Sequence, residues 1–294
     1  MHSEHGNIRR VRFHPLEESH LACACDDGTV IVVDWRKGKE LRVSMLHDGI
    51  VRCLAFSHNG KFVATGSRDR TSKISSIETG EVKMIFEAHS AEVYDVCFSH
   101  DGCFLATCSA DHTCVIFDVQ TGSVVRTLIG HTGYIYSIAF SPDDQYILSG
   151  SMDRTAILWH WSAGTLVRRI VCHTESVRTV AFSSDQTRMF TGAWDKCAVI
   201  HDVRAPSAVH TFVNHKGMPV TCVAFSPDAS LIGSGSDDHT ARLADMRTGE
   251  IVYVVEQHTA SVRAVSFSLN GRLFASGSLD CTVVLTDLAS LTCL

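Results

Sequence analysis

The sequence predicts an all-β fold in which seven four-stranded antiparallel sheets sit side by side and close into a ring. Three observations predict it. A His recurs at positions 5, 47, 89, 131, 173, 215 and 258, spaced by 42 residues five times and then by 43. Every copy is followed by an apolar segment ending in Phe, at positions 13, 56, 98, 140, 182, 225 and 267. Within each unit the chain divides into four short runs of β-branched, aromatic or aliphatic residues separated by turn clusters.

The unit that starts at His131 shows the elements in order. The runs IYSIAF, QYILSG, TAILWHW and TLVRRIV read as four strands. Between them lie Ser141-Pro142-Asp143-Asp144, Met152-Asp153-Arg154 and Ser162-Ala163-Gly164, whose side chains favour tight turns through Asx bonding, a fixed φ or a missing Cβ. Such a meander cannot bury both of its faces alone. The units must therefore stack, and seven of them form one domain over residues 1–294 with repeats starting near 5, 47, 89, 131, 173, 215 and 258. Alignment of the last unit sets Leu294 opposite Lys83, so its outer strand is expected to be short and split, with Met1 to Glu4 supplying only the last residues before His5. Residues beyond Leu294 would complete it.

The strings His131-Thr132-Gly133-x-Ile135, Phe140-Ser141-Pro142-Asp143, Ser149-Gly150-Ser151-Met152-Asp153 and Leu158-Trp159 carry a resemblance. Across all seven units the chain resembles the WD-repeat family, which implies a seven-bladed β-propeller of four-stranded antiparallel blades. The Trp of that family stands only at Trp159; its equivalents are Val33, Ser75, Phe117, His201, Ala244 and Thr286. The Asp that follows survives as Asp34, Asp118, Asp202, Asp245 and Asp287.

Composition limits the function. With 45% apolar and 20% charged residues the chain lacks the signature of disorder. Its longest apolar stretches, such as Val30-Ile31-Val32-Val33, are too short to cross a bilayer, and MHSEHG has no signal-peptide apolar region. The twelve Cys include no C-x-x-C pair and read as buried reduced thiols of an intracellular protein, cytoplasmic or nuclear, with no metal and no cofactor. A net charge of -6 opposes sequence-independent attraction to nucleic acid.

His131, Ser149 and Asp153 have the residue types of a catalytic triad. The same positions recur as His47/Thr65/Asp69, His89/Thr107/Asp111, His173/Thr191/Asp195, His215/Ser234/Asp238 and His258/Ser276/Asp280, whereas the first unit has Cys23 between His5 and Asp27. An enzyme needs one triad, not six. The resemblance implies that His131, Ser149 and Asp153 form a structural hydrogen-bonded set completed by Trp159. No G-x-S-x-G, H-E-x-x-H, G-x-G-x-x-G or P-loop string occurs, so the sequence points to no enzyme.

One column points at a partner. The resemblance places the residue after the first-strand Ile or Val at the top entrance of the central channel; that column holds Arg9, Arg52, Tyr94, Tyr136, Arg178, Thr221 and Arg263. The residue before each turn Asp adds Arg68 and Trp194 to this face, and Tyr134 lies nearby. Two readings stand. Either the arginines pair with Asp26, Glu92, Asp237 or neighbouring carboxylates as a solvated lattice, or they receive an acidic or phosphorylated peptide, whose oxygens match guanidinium forks. The second reading makes the chain a non-enzymatic interaction scaffold in a multiprotein complex. Asp34-Trp35-Arg36, Asp202-Val203-Arg204 and Asp245-Met246-Arg247 resemble, without its Trp, the box by which some WD-repeat proteins serve as substrate receptors of cullin-RING ubiquitin ligases. A propeller hydrolase is the remote alternative.

Overall fold

The computed structural model describes residues 4–205, 208–213, 215 and 217–293, with the backbone alone for 208–213. It contains seven four-stranded antiparallel sheets, each running in chain order from an inner to an outer strand. The first strands are β1 (Ile8–Phe13), β5 (Val51–Phe56), β9 (Val93–Phe98), β13 (Ile135–Phe140), β17 (Val177–Phe182), β21 (Val220–Phe225) and β25 (Val262–Phe267). Each touches the first strand of the next sheet, and β25 touches β1, so the sheets close into a seven-bladed propeller around a central channel. Blades 1 to 7 are numbered from these strands.

Burial follows position in the blade. In blade 4, β14 (Tyr146–Ser151) and β15 (Ala156–His160) are buried along most of their length, whereas β16 (Thr165–Ile170) is mostly exposed. A middle strand is covered on both faces by neighbouring blades, so its hydroxyl and Gly positions are buried along with its apolar ones; an outer strand is wet. The core is accordingly divided among the blade junctions. Ile8, Val11 and Ile31 of blade 1 pack with Leu273, Ala275 and Val283 of blade 7. Blades 3 and 4 meet through Ile116, Leu128, Ile138 and Trp159.

The turn between second and third strands is built alike in every blade. Its Asp accepts the backbone N–H two residues on, as Asp153 does from Thr155 at 3.0 Å. The intervening residue has a left-handed φ: Arg70, His112, Arg154, Lys196, His239 and Cys281 lie between 66° and 75°. Blade 1 has Gly28 there, with φ 91° and the His47 carbonyl 2.3 Å from where a Cβ would stand. Only Gly fits that approach.

The outer strand of blade 7, β28 (Thr292–Cys293), pairs two residues with Thr286 and Asp287. The expected contribution of residues 1–3 lies outside the described residues. Not all the thiols are buried: Cys103 and Cys172 are exposed and Cys97, Cys197, Cys281 and Cys293 partly so, because Cys97 lines the channel cavity and the others fall in turns or at strand ends. No described helix is long and apolar enough to cross a membrane.

Candidate functional site

The His, hydroxyl and Asp positions come together in six blades. In blade 4, His131 Nδ1 lies 2.8 Å from Asp153 Oδ2, His131 Nε2 lies 2.8 Å from Ser149 Oγ, and Trp159 Nε1 donates to Ser149 Oγ at 2.8 Å. Blades 2, 3, 5, 6 and 7 repeat the first two contacts at 2.7–3.3 Å. Burial opposes ionisation of Asp153, but bonds from His131 and Thr155 outweigh it and hold its carboxyl below the usual range. An ionised carboxylate only accepts, so Nδ1 donates to Asp153, which leaves Nε2 to accept a hydrogen bond from the Ser149 hydroxyl. Ser149 is fully buried with its oxygen already engaged, so it meets no substrate. In blade 5 His201 replaces the Trp, 3.1 Å from Thr191 Oγ1; burial, with His173 and Arg168 near it, pushes its pKa down to about 4.

The column of top-face residues has a structural origin that the sequence hides. Arg9, Arg52, Tyr94, Tyr136, Arg178, Thr221 and Arg263 are each the second residue of an inner strand. Each is skipped by the pairing with the second strand: Val51 pairs Ser67 and Cys53 pairs Gly66, leaving Arg52 unpaired between them, and every blade does the same. A β-bulge of this kind re-aims one side chain without constraining its type. That is why the slot accepts Arg, Tyr and Thr alike.

Most of these arginines have carboxylate partners. Arg9 bonds Asp26 through two nitrogens, one at 2.9 Å, and Asn7 adds a third bond to the same group at 2.9 Å. Arg52 and Arg68 share Glu92, at 2.9 and 3.0 Å. Arg263 lies 3.2 Å from Asp237, which also accepts from Ser261. Mutual repulsion among these guanidinium groups is therefore relieved within the chain, and a ligand is not needed to relieve it. Arg178 differs from the expected pairing too: no described carboxylate lies within 4.0 Å of it. Its guanidinium stacks 3.7 Å from the Tyr136 ring centroid and 4.9 Å from that of Trp194. Tyr94 meets Tyr136 edge to face at 4.9 Å, and Tyr134 lies 6.4 Å from Tyr94. Tyr134, Met152, Trp194 and Met218 are exposed around them.

A second polar cluster escaped the sequence reading. Arg10 in β1 bonds Asp95 in β9 across the channel. Asp95 also accepts from Ser137 Oγ at 3.0 Å and from the N–H groups of Val96 and Ile138, and Ser137 in turn accepts from Val180 N–H. This strut ties blades 1, 3, 4 and 5. Its signal was a charged residue at the third position of an inner strand, where blades 2, 6 and 7 carry Cys53, Cys222 and Ala264.

The aspartates of the three Asp-x-Arg turns are engaged locally. Asp202 accepts the N–H groups of Arg204 and Ala205 at 2.7 and 3.1 Å, and Asp34 and Asp245 do likewise in their turns. Turn geometry alone accounts for them.

The family described as "WD domain, G-beta repeat" matches residues 38–74, 80–118, 122–160, 164–202, 206–245 and 249–287. The chain is 44% identical over 81 residues to the guanine nucleotide-binding protein subunit beta of Arabidopsis thaliana, covering 26% of this chain and 21% of that one. It is 40% identical over 83 residues to nuclear distribution protein PAC1-1 of Uncinocarpus reesii (strain UAMH 1704), covering 28% and 18%. The match to the guanine nucleotide-binding protein subunit beta of Oryza sativa subsp. indica is 39% over 98 residues, covering 30% and 26%. The matched segments thus span about a fifth to a quarter of these relatives.

Proposed function

The chain belongs to the WD-repeat family, whose propeller is typical of protein–protein interaction scaffolds, and we propose on that premise that its top face docks a peptide segment of a partner protein. The docking sector is that of blades 3 to 5, where Arg178 stands among Tyr94, Tyr134, Tyr136 and Trp194. One observation carries this reading: Arg178 is the slot arginine that faces aromatic rings and no described carboxylate. A carboxylate or phosphate of the segment supplies the missing partner through a charge-assisted bond. Apolar residues of the segment cover Trp194, Met152 and Tyr134, side-chain types that anchor interfaces. Arg9, Arg52, Arg68 and Arg263 form the rim and hold its shape through their own carboxylates. The chain performs no catalysis in this reading and works within a multiprotein complex in cytoplasm or nucleus. That several relatives are named as subunits agrees with this. A ubiquitin-ligase receptor role rests on Arg36, Arg204 and Arg247 alone and draws no support from the geometry.

The test is fluorescence polarisation with three degenerate peptide pools: aspartate-rich, phosphoserine-containing and neutral. The expected result is binding of an acidic pool that weakens as salt rises, since exposed charges are screened over about 8 Å at physiological ionic strength. Arg178→Gln should weaken it tenfold or more, and Arg263→Gln, whose partner is internal, should weaken it less. Equal binding of the neutral pool, or full affinity in Arg178→Gln, sinks the reading.

A further inference from the structure

On the other side of the strut the channel opens into a cavity of about 350 Å³. This lies at the lower end of the roughly 300–1,000 Å³ typical of small-molecule sites. The space has a sequence origin. The fifth residues of six inner strands are small, namely Ala55, Cys97, Ala139, Ala181, Ala224 and Ser266, and the seventh is Arg12. Small residues leave a void and one long cation enters it.

Arg12 is poorly compensated there. Its Nη1 donates to the Val265 carbonyl at 3.0 Å and to the Val11 carbonyl at 3.5 Å, and no described carboxylate lies within 4.0 Å. The one carboxylate lining the cavity, Asp95, is taken by Arg10, Ser137 and two backbone N–H groups. Arg10 itself keeps a buried Nε with no partner. Two guanidinium groups thus face one carboxylate; the other titratable groups of the lining are Cys97, His58 and His100, and His100 lies 3.2 Å from Asp144. Burial first, and the charge of Arg10 second, push Arg12 down to about 10, which leaves it charged at neutral pH. A part-buried guanidinium with no carboxylate of its own is a ready site for an anion.

We propose that this channel cavity binds a small phosphate-bearing anion, held by the Arg12 guanidinium. The planar fork of Arg matches phosphate oxygens two at a time, and the void gives room for about one such group and its substituent. The site lies apart from the top-face sector and does not depend on it.

Calorimetric titration of the full chain with pyrophosphate and with inorganic phosphate, at ionic strength fixed by sodium chloride, tests this. Saturable one-site binding is expected for pyrophosphate; tighter binding of inorganic phosphate would identify the free ion as the occupant. Arg12→Met should weaken binding tenfold or more. Ala181→Leu, which keeps the guanidinium and fills the void, should do the same and decides the matter if Arg12→Met does not fold. Arg178→Gln should leave this binding unchanged, so the two readings fail separately. Absence of saturation by both anions in the wild type overturns the proposal, as does wild-type affinity in a folded Arg12→Met or Ala181→Leu chain.

Discussion

Blades 4 and 2 share the His, hydroxyl and Asp contacts, at 2.7–2.8 Å in both, but differ in the residue that faces the hydroxyl. Blade 4 has Trp159, whose indole N–H reaches Ser149 and whose rings fill the junction with blade 3. Blade 2 has Ser75 at the equivalent place, too short to reach Thr65, and the buried hydroxyls of Ser75 and Ser72 have no partner. The difference teaches that the fold is specified by the turn and the His contacts, while the third-strand position tunes stability blade by blade. A buried polar atom left unpaired costs about 1–3 kcal/mol, so blade 2 is built below its best.

Breaking blade 4 at that position should have the largest effect. Trp159→Ala removes the indole bond and a large buried volume, and should cost about 3–5 kcal/mol by denaturant unfolding. Ser75→Ala in blade 2 should be neutral or mildly stabilising. Equal losses at the two sites would refute the contrast.

Next in size is the polar chain itself. Ser149→Ala or Asp153→Ala leaves buried partners unsatisfied and should cost about 1–3 kcal/mol. Acid tests the same sets without mutation. The carboxyls of Asp69, Asp153 and Asp280 titrate below their usual range when folded, burial being outweighed by their hydrogen bonds. Burial likewise lowers His47 and His258 despite the neighbouring aspartates. In both cases the unfolded chain binds more protons, so stability is full above the unfolded values and is lost as pH falls. Melting temperature should therefore decline below about pH 6.5 as His groups charge and more steeply below about pH 4. A stability maximum under pH 5 would contradict this assignment.

The ring of seven blades was legible because a period of 42 cannot hide, and each turn announces itself by an Asp two residues before a strand-forming residue. The recurrence of the His, hydroxyl and Asp positions was legible for the same reason, and the family resemblance implied that they bond one another. What the sequence concealed was non-periodic. Whether Arg52 meets Glu92 or Arg178 meets Tyr136 depends on which neighbour a bulged side chain reaches across a blade junction, and spacing along the chain does not encode that. The Arg10–Asp95 strut joins residues 85 positions apart in non-adjacent blades, and nothing local to either strand reports the other.

A smaller effect sharpens the comparison by improving blade 2. Ser75→Val gives it the residue that blade 1 carries as Val33, which is buried. It removes an unpaired hydroxyl and adds apolar surface in a junction already containing Val63, Leu54 and Ala22 nearby, for a gain of about 1 kcal/mol. A loss in thermal stability would mean that the hydroxyl has a role the geometry does not assign.

The smallest effect is expected in blade 1, where the polar set has been dismantled. Cys23 stands in the hydroxyl position and Val33 in that of Trp159, so the hydroxyl and indole of the blade 4 set have no counterpart there. Its contact with Asp27 is 3.2 Å long and exposed, and Asp27 keeps its bonds to the Thr29 N–H and hydroxyl at 2.9 and 2.6 Å whether or not His5 is present. Exposed pairs of this kind contribute about 0–1 kcal/mol. His5→Ala should therefore shift unfolding less than His131→Ala, which costs the roughly 1–3 kcal/mol of an orphaned buried set. Parallel melts of the two variants read the difference directly. If they lose the same stability, the His acts by ordering the loop between blades rather than by satisfying buried partners, and the account of blade 4 would have to change with it.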